Sequence, residues 1–158
     1  MRVYPVWLVM PEPGNPAALT LLAFDFGRRR IGVAVGNTWT RCAQALTAIE
    51  STSDADRISR IEQLVDTWKP YRLIVGLPLS VNGQAHAMTG QCRRFGHRLE
   101  RRFGLDVDFA DERYTSTSAQ TLWRDRIREE GRHAPIKSTI DATSAALILQ
   151  TWFDEHAS

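Results

Sequence analysis

The chain has 158 residues, of which 43% are hydrophobic and 24% charged, and its formal net charge is +2. That length and balance suit one globular domain with a full core. They exclude a bilayer-spanning chain, because no stretch approaches the ~20 consecutive apolar residues a membrane helix needs. The near-neutral total does not announce a nucleic-acid partner. Among 20 basic residues only Lys69 and Lys137 are lysines. Arginine's planar fork suits phosphate and carboxylate, although a GC-rich genome produces the same bias. Cys42 and Cys92 stand far apart with no ligand spacing around them, which argues against zinc and for a reducing cytoplasm.

Residues 1–19 read as a loosely ordered N-terminal extension, followed by a single domain over 20–158. The first ten residues are apolar, but Pro5 interrupts them and no small-residue cleavage site follows. Pro11, Pro13, Gly14 and Pro16 then disfavour regular structure. Strands are expected over 20–26 and 31–37, joined by a tight Gly-Arg-Arg-Arg turn, with a third over 43–49. From Asp54 onward, Ile58, Ile61, Leu64, Val65 and Trp68 recur at helical spacing, and Pro70 closes that helix. Residues 72–78 form a short β-rich run of the buried parallel kind. After an Asn82-Gly83 turn signal, a helix over 85–103 places Met88, Cys92, Phe95, Leu99 and Phe103 on one face. Arg94, Arg98, Arg101 and Arg102 fall on an adjacent face. Gly104 stops it. A strand over 106–111, a helix over 115–126 and a last helix over 140–156 complete the chain. A meander followed by αβ alternation implies a mixed five-stranded α/β sheet flanked by helices.

Three carboxylates occupy unusual places. Asp25 interrupts the apolar run of the first strand, where an isolated charge loses much hydration energy. Glu112 follows the last strand, and Asp141 opens the C-terminal helix. If they converge, only a cation stabilises the cluster, and Mg²⁺ suits hard oxygen ligands with open positions. Two such ions ~4 Å apart activate a water and stabilise a phosphodiester's leaving oxygen. Taken singly, each carboxylate has a plainer reading. Asp25 caps turn amides, Glu112 pairs with Arg113 or Arg28, and Asp141 answers the helix dipole. Arg28 and Arg30, close to Asp25, are candidate phosphate contacts. So are Arg113, Lys137 and the helix arginines Arg94 and Arg98. Trp123 and Trp152 read as core, and the four histidines as surface residues.

Four blocks in order are similar to those of the YqgF/RuvX family. They are Phe24-Asp25-Phe26-Gly27 with Arg30-Ile31-Gly32-Val33-Ala34, then Ile74-Val75-Gly76-Leu77-Pro78-Leu79. Next come Asp111-Glu112-Arg113 with Thr115-Ser116, and Asp141-Ala142 with Ser144-Ala145-Ala146. The resemblance spans 20–156. It implies a ribonuclease H-like fold and Asp25, Glu112 and Asp141 as the catalytic, metal-holding carboxylates, with Mg²⁺ or Mn²⁺, two ions, as cofactor. It also implies a cytoplasmic nuclease that acts on nucleic acid, while the sequence leaves monomer and homodimer both open. The favoured task is 5′-end processing of 16S ribosomal RNA precursor, with the small-subunit precursor as partner. The alternatives are Holliday-junction cleavage on branched DNA and a non-catalytic nucleic-acid-binding role. Asn82 stands where the family usually has aspartate, and Ala45 where proline is usual before Leu46. Neither touches the carboxylate set. An ATP-using kinase of the actin and sugar-kinase type shares the Asp-x-Gly block, but needs two such domains.

Overall fold

A computed structural model describes residues 18–78, 87–111 and 137–156. Its elements, in chain order, are β1 (Thr20–Phe26), β2 (Arg30–Asn37), β3 (Gln44–Glu50), α1 (Asp54–Trp68), β4 (Arg72–Leu77), α2 (Ala87–Phe103), β5 (Asp106–Asp111) and α3 (Lys137–Glu155). The extension up to residue 17, the 79–86 loop and the expected 115–126 helix, with Trp123, lie outside the described residues.

The strands form one mixed sheet in the order β3-β2-β1-β4-β5. β1–β2 and β2–β3 are antiparallel, whereas β1–β4 and β4–β5 are parallel. This is the expected architecture. Strand alternation sorts the core into two layers. Leu22, Phe24, Leu73 and Val75 face Ile61 of α1 and Cys92, Phe95 and Leu99 of α2. Leu21, Ala23, Ala34, Ile74 and Ala110 face Ala145, Ala146, Leu149 and Trp152 of α3. The small residues on that second side let α3 lie close against the sheet.

Local signals set the ends. The Ser53 hydroxyl accepts from the Asp56 amide and caps α1. Lys69 closes it in the left-handed region at φ 47°, with its amide donating to the Val65 carbonyl. Gly104, at φ 66°, ends α2 where a side chain would be strained.

Several boundaries differ from expectation, and three of the elements concerned bear on the site. Arg30 belongs to β2, because it pairs in register with Glu50, so the turn is Gly27-Arg28-Arg29. β3 starts and ends one residue later than expected. α3 starts at Lys137, which moves Asp141 from the helix opening into the second turn. The dipole reading of Asp141 weakens accordingly, since that effect fades beyond the first turn.

Candidate active site at the carboxyl edge of the sheet

β1, β4 and β5 run parallel, so their carboxyl ends share one edge of the sheet, where open α/β sheets place ligands. Asp25 lies at that edge. It shares its face with Leu21 and Ala23, which pack against α3. Its cross-strand partner is Gly32. A Cβ on Gly32 would sit 1.9 Å from the Asp141 carbonyl oxygen, a distance no atom pair tolerates. Glycine at that position therefore lets α3 press onto β2 beside Asp25, and it brings two of the three predicted carboxylates to one edge.

The Asp141 side chain is held. Its Oδ2 accepts from Arg30 Nε at 2.9 Å, with the two side chains 29% and 23% exposed. Arg30 also reaches Glu50 Oε1 at 3.8 Å. Asp141 Oδ1 has no hydrogen-bond partner among the described residues. Arg30 thus contacts a predicted site carboxylate, an arrangement the arginine run alone did not distinguish from a phosphate contact. Asp111 pairs with Leu77 and alternates with Ala110, so it takes the α1–α2 face, away from Asp25. Glu112, Arg113 and the Lys137 side chain lie outside the described residues. Among the described residues no group of three or more acidic, His or Cys side chains could hold a metal ion.

Arg28 and Arg29 are exposed on the turn beside Asp25. That turn has an anchor the residue patterns did not single out. Arg57 of α1 is only 5% exposed. Its Nε donates to the Ser51 carbonyl and its terminal nitrogen to the Arg28 carbonyl, while its guanidinium lies 5.5 Å from the Phe26 ring centre. Burial lowers its pKa from the ordinary arginine value, partly offset by Asp54. The signal was there to find, since Arg57 stands four residues before Ile61 on the apolar face of α1. Arg94 and Arg98 are exposed on α2, some distance along from the edge. Of the histidines, His97 meets the Phe109 ring edge-on, and His156 stacks on Trp152 at 4.1 Å with both packing at the opposite end of α3.

A family model described as RuvX, Holliday junction resolvase, matches residues 19–155. The chain belongs to the RuvX family. A relative from Dechloromonas aromatica (strain RCB), named as a candidate pre-16S rRNA nuclease, is 50% identical over 136 residues, covering 85% of this chain and 90% of the relative. One of the same name from Ralstonia pickettii (strain 12J) is 42% identical over 154 residues, covering 94% and 100%. Among solved structures, T. thermophilus RuvC in complex with a Holliday junction substrate aligns with a TM-score of 0.55. It has 13% identity and covers 87% of this chain and 94% of that one. At that identity the likeness is one of fold, and the fold of this RuvX-family chain is accordingly ribonuclease H-like. Among the described residues no helix is long and apolar enough to cross a membrane.

Proposed function

We propose that residues 20–158 form a metal-dependent nuclease domain that hydrolyses phosphodiester bonds in structured RNA, with the 5′ end of the 16S ribosomal RNA precursor as substrate. The observation that supports this reading is that Asp25 and the Asp141 backbone flank Gly32 at one sheet edge. Membership of the RuvX family and the names of the two relatives supply the substrate class.

The donor set is all carboxylate oxygen, which fits a hard ion of the Mg²⁺ or Mn²⁺ kind and disfavours a thiophilic one. Such ions, held by Asp25, Glu112 and Asp141, supply a lowered pKa for the attacking water and positive charge for the leaving oxygen. The chain's own groups do the rest. Arg30 occupies one Asp141 oxygen and leaves the other available. Arg28 stands exposed beside the edge to meet a phosphate. Arg57 anchors the carbonyl of that same residue, so the turn is held in place as substrate docks. Arg113 and Lys137 are assigned to the substrate phosphates on sequence position alone.

The test is cleavage of a 5′-extended 16S precursor RNA beside a four-way DNA junction, with Mg²⁺ or Mn²⁺ and with Asp25→Asn as control. Trimming of the RNA that is lost in the folded variant supports the reading. The family's description favours a second substrate, branched DNA. Symmetric nicking of the junction alone would select it, and would require two sites in a dimer. Unchanged RNA cleavage by Asp25→Asn protein would remove the carboxylate mechanism. Silence on both substrates would leave a binding role in its place.

A further inference from the structure

We propose that the trough between α1 and α2 binds the single-stranded flank of the RNA substrate where it leaves the catalytic edge. The inference rests on the nuclease reading above for the identity of the ligand and on separate residues for its site. A hollow of about 820 Å³ opens on the sheet face opposite α3, lined among others by Phe26, Asp54, Phe95, Arg94, Arg98 and Arg101. A second hollow of about 620 Å³ adjoins it, sharing Arg98 and Arg101. Phe26 follows Asp25 in β1 but turns to the α1–α2 face, so the trough opens at the same sheet edge on the face opposite Asp25. The start of α2 is tied to the same edge, where the Thr89 hydroxyl donates to the Pro78 carbonyl just beyond β4.

The chemistry of the trough fits a phosphate chain. α2 carries Arg93, Arg94, Arg98, Arg101 and Arg102 against the single carboxylate Glu100. Arg94, Arg98 and Arg101 stand at positions i, i+4 and i+7, a row spanning about 10 Å at the helical rise. Arg98 and Arg102 reach across to Asp54 and Glu62 of α1 at 3.2 and 3.1 Å. These are exposed ion pairs, which are weak and which a phosphate can displace at little cost. Arg94 and Arg101 form no ion pair among the described residues. The Arg94 guanidinium reaches back one turn along α2, with NH1 3.5 Å from where a Cβ on Gly90 would stand. Arg94 therefore leans towards the edge that carries Asp25. A single row of arginines follows one phosphate chain, which suits a single strand. The row reads backbone charge and carries no base specificity.

The experiment measures binding by fluorescence anisotropy, without divalent ions, of an RNA hairpin that is blunt or bears an eight-nucleotide single-stranded extension. The full chain is compared with an Arg94→Gln/Arg101→Gln double variant, with Arg94→Lys/Arg101→Lys, and with Arg60→Gln as an exposed charge control on α1. The extension is expected to tighten binding of the parent about tenfold. The Gln pair should abolish that gain, leave the blunt hairpin unaffected, and lower the salt slope for the extended RNA by about 1.4, at ~0.7 per phosphate released. The Lys pair and Arg60→Gln should keep most of the gain. An equal gain in parent and Gln pair, or no gain in the parent, overturns the trough as the flank's path. An acidic peptide that binds the parent, with no gain from the RNA extension, overturns it in favour of a protein ligand. Cleavage of the blunt hairpin with Mg²⁺ is run alongside. Cleavage that persists while the extension gain is absent sinks the trough and spares the nuclease, whereas absence of both cleavage and binding sinks the two together.

Discussion

Two arginine–aspartate pairs sit at opposite ends of the sheet and look alike at first sight. Arg30 meets Asp141 at 2.9 Å at the carboxyl edge, and Arg72 meets Asp108 at 2.9 Å towards the other end. Their surroundings separate them. Asp108 spends its second oxygen on the Trp152 indole N–H at 3.1 Å, which ties β5 to α3. Arg72 also approaches Asp106 at 3.8 Å and lies over the Tyr71 ring. Burial opposes the Arg72 charge, but Asp108, Tyr71 and Asp106 outweigh it and raise its pKa. That pair is closed and acts as a clamp. The Arg30–Asp141 pair leaves Oδ1 open among the described residues, at the sheet edge that also carries Asp25. A saturated carboxylate holds structure, and one held by a single oxygen still has a lone pair to offer.

The comparison can be broken at the open end first. Gly32→Ala forces a methyl into the Asp141 carbonyl. It should lose about 3 kcal/mol of stability, at the top of the overpacking range, read as a fall in urea midpoint together with loss of nuclease activity. Arg30→Gln sharpens the contrast. It removes a part-buried pair and should cost about 1 kcal/mol of stability. It should nevertheless lower cleavage about 10- to 100-fold, as loss of a group orienting a metal ligand does. Equal effects on melting and activity would instead make Arg30 a clamp like Arg72.

The closed end should behave in reverse. Asp108→Asn weakens the bonds to Arg72 and Trp152 and should cost about 1.5 kcal/mol, the low end of the range for hydrogen bonds to a charged group. Cleavage per folded molecule should be unchanged, measured at a temperature well below Tm. At the smallest end, Arg60→Gln loses only the exposed i,i+4 pair with Asp56. Thermal melts should move by less than the equivalent of about 0.5 kcal/mol, and nuclease rate should stay put.

Much of the fold was legible because its signals are local. Short apolar and β-rich runs placed β1, β4 and β5 to within a residue, and the apolar stripe of α2 is the one observed. The start of α3 was misplaced by three residues, since Lys137-Ser138-Thr139 carries no apolar period. The site was legible as a set of candidate carboxylates, with Asp25 conspicuous because a charge in a buried strand is costly. What each arginine does was not legible. Arg28, Arg29 and Arg30 are one run in the chain, yet Arg30 turns to α3 while the Arg28 carbonyl receives Arg57 from α1.

The sequence by itself determined the elements, their order and the residues able to carry charge at the carboxyl edge, because periodicity and the desolvation of a lone carboxylate are properties of a few neighbours. Only the tertiary structure decided which of those charges meet. Asp141 reaches the strand of Arg30 from 111 residues away, and it does so because Gly32 has no side chain to hold the helix off.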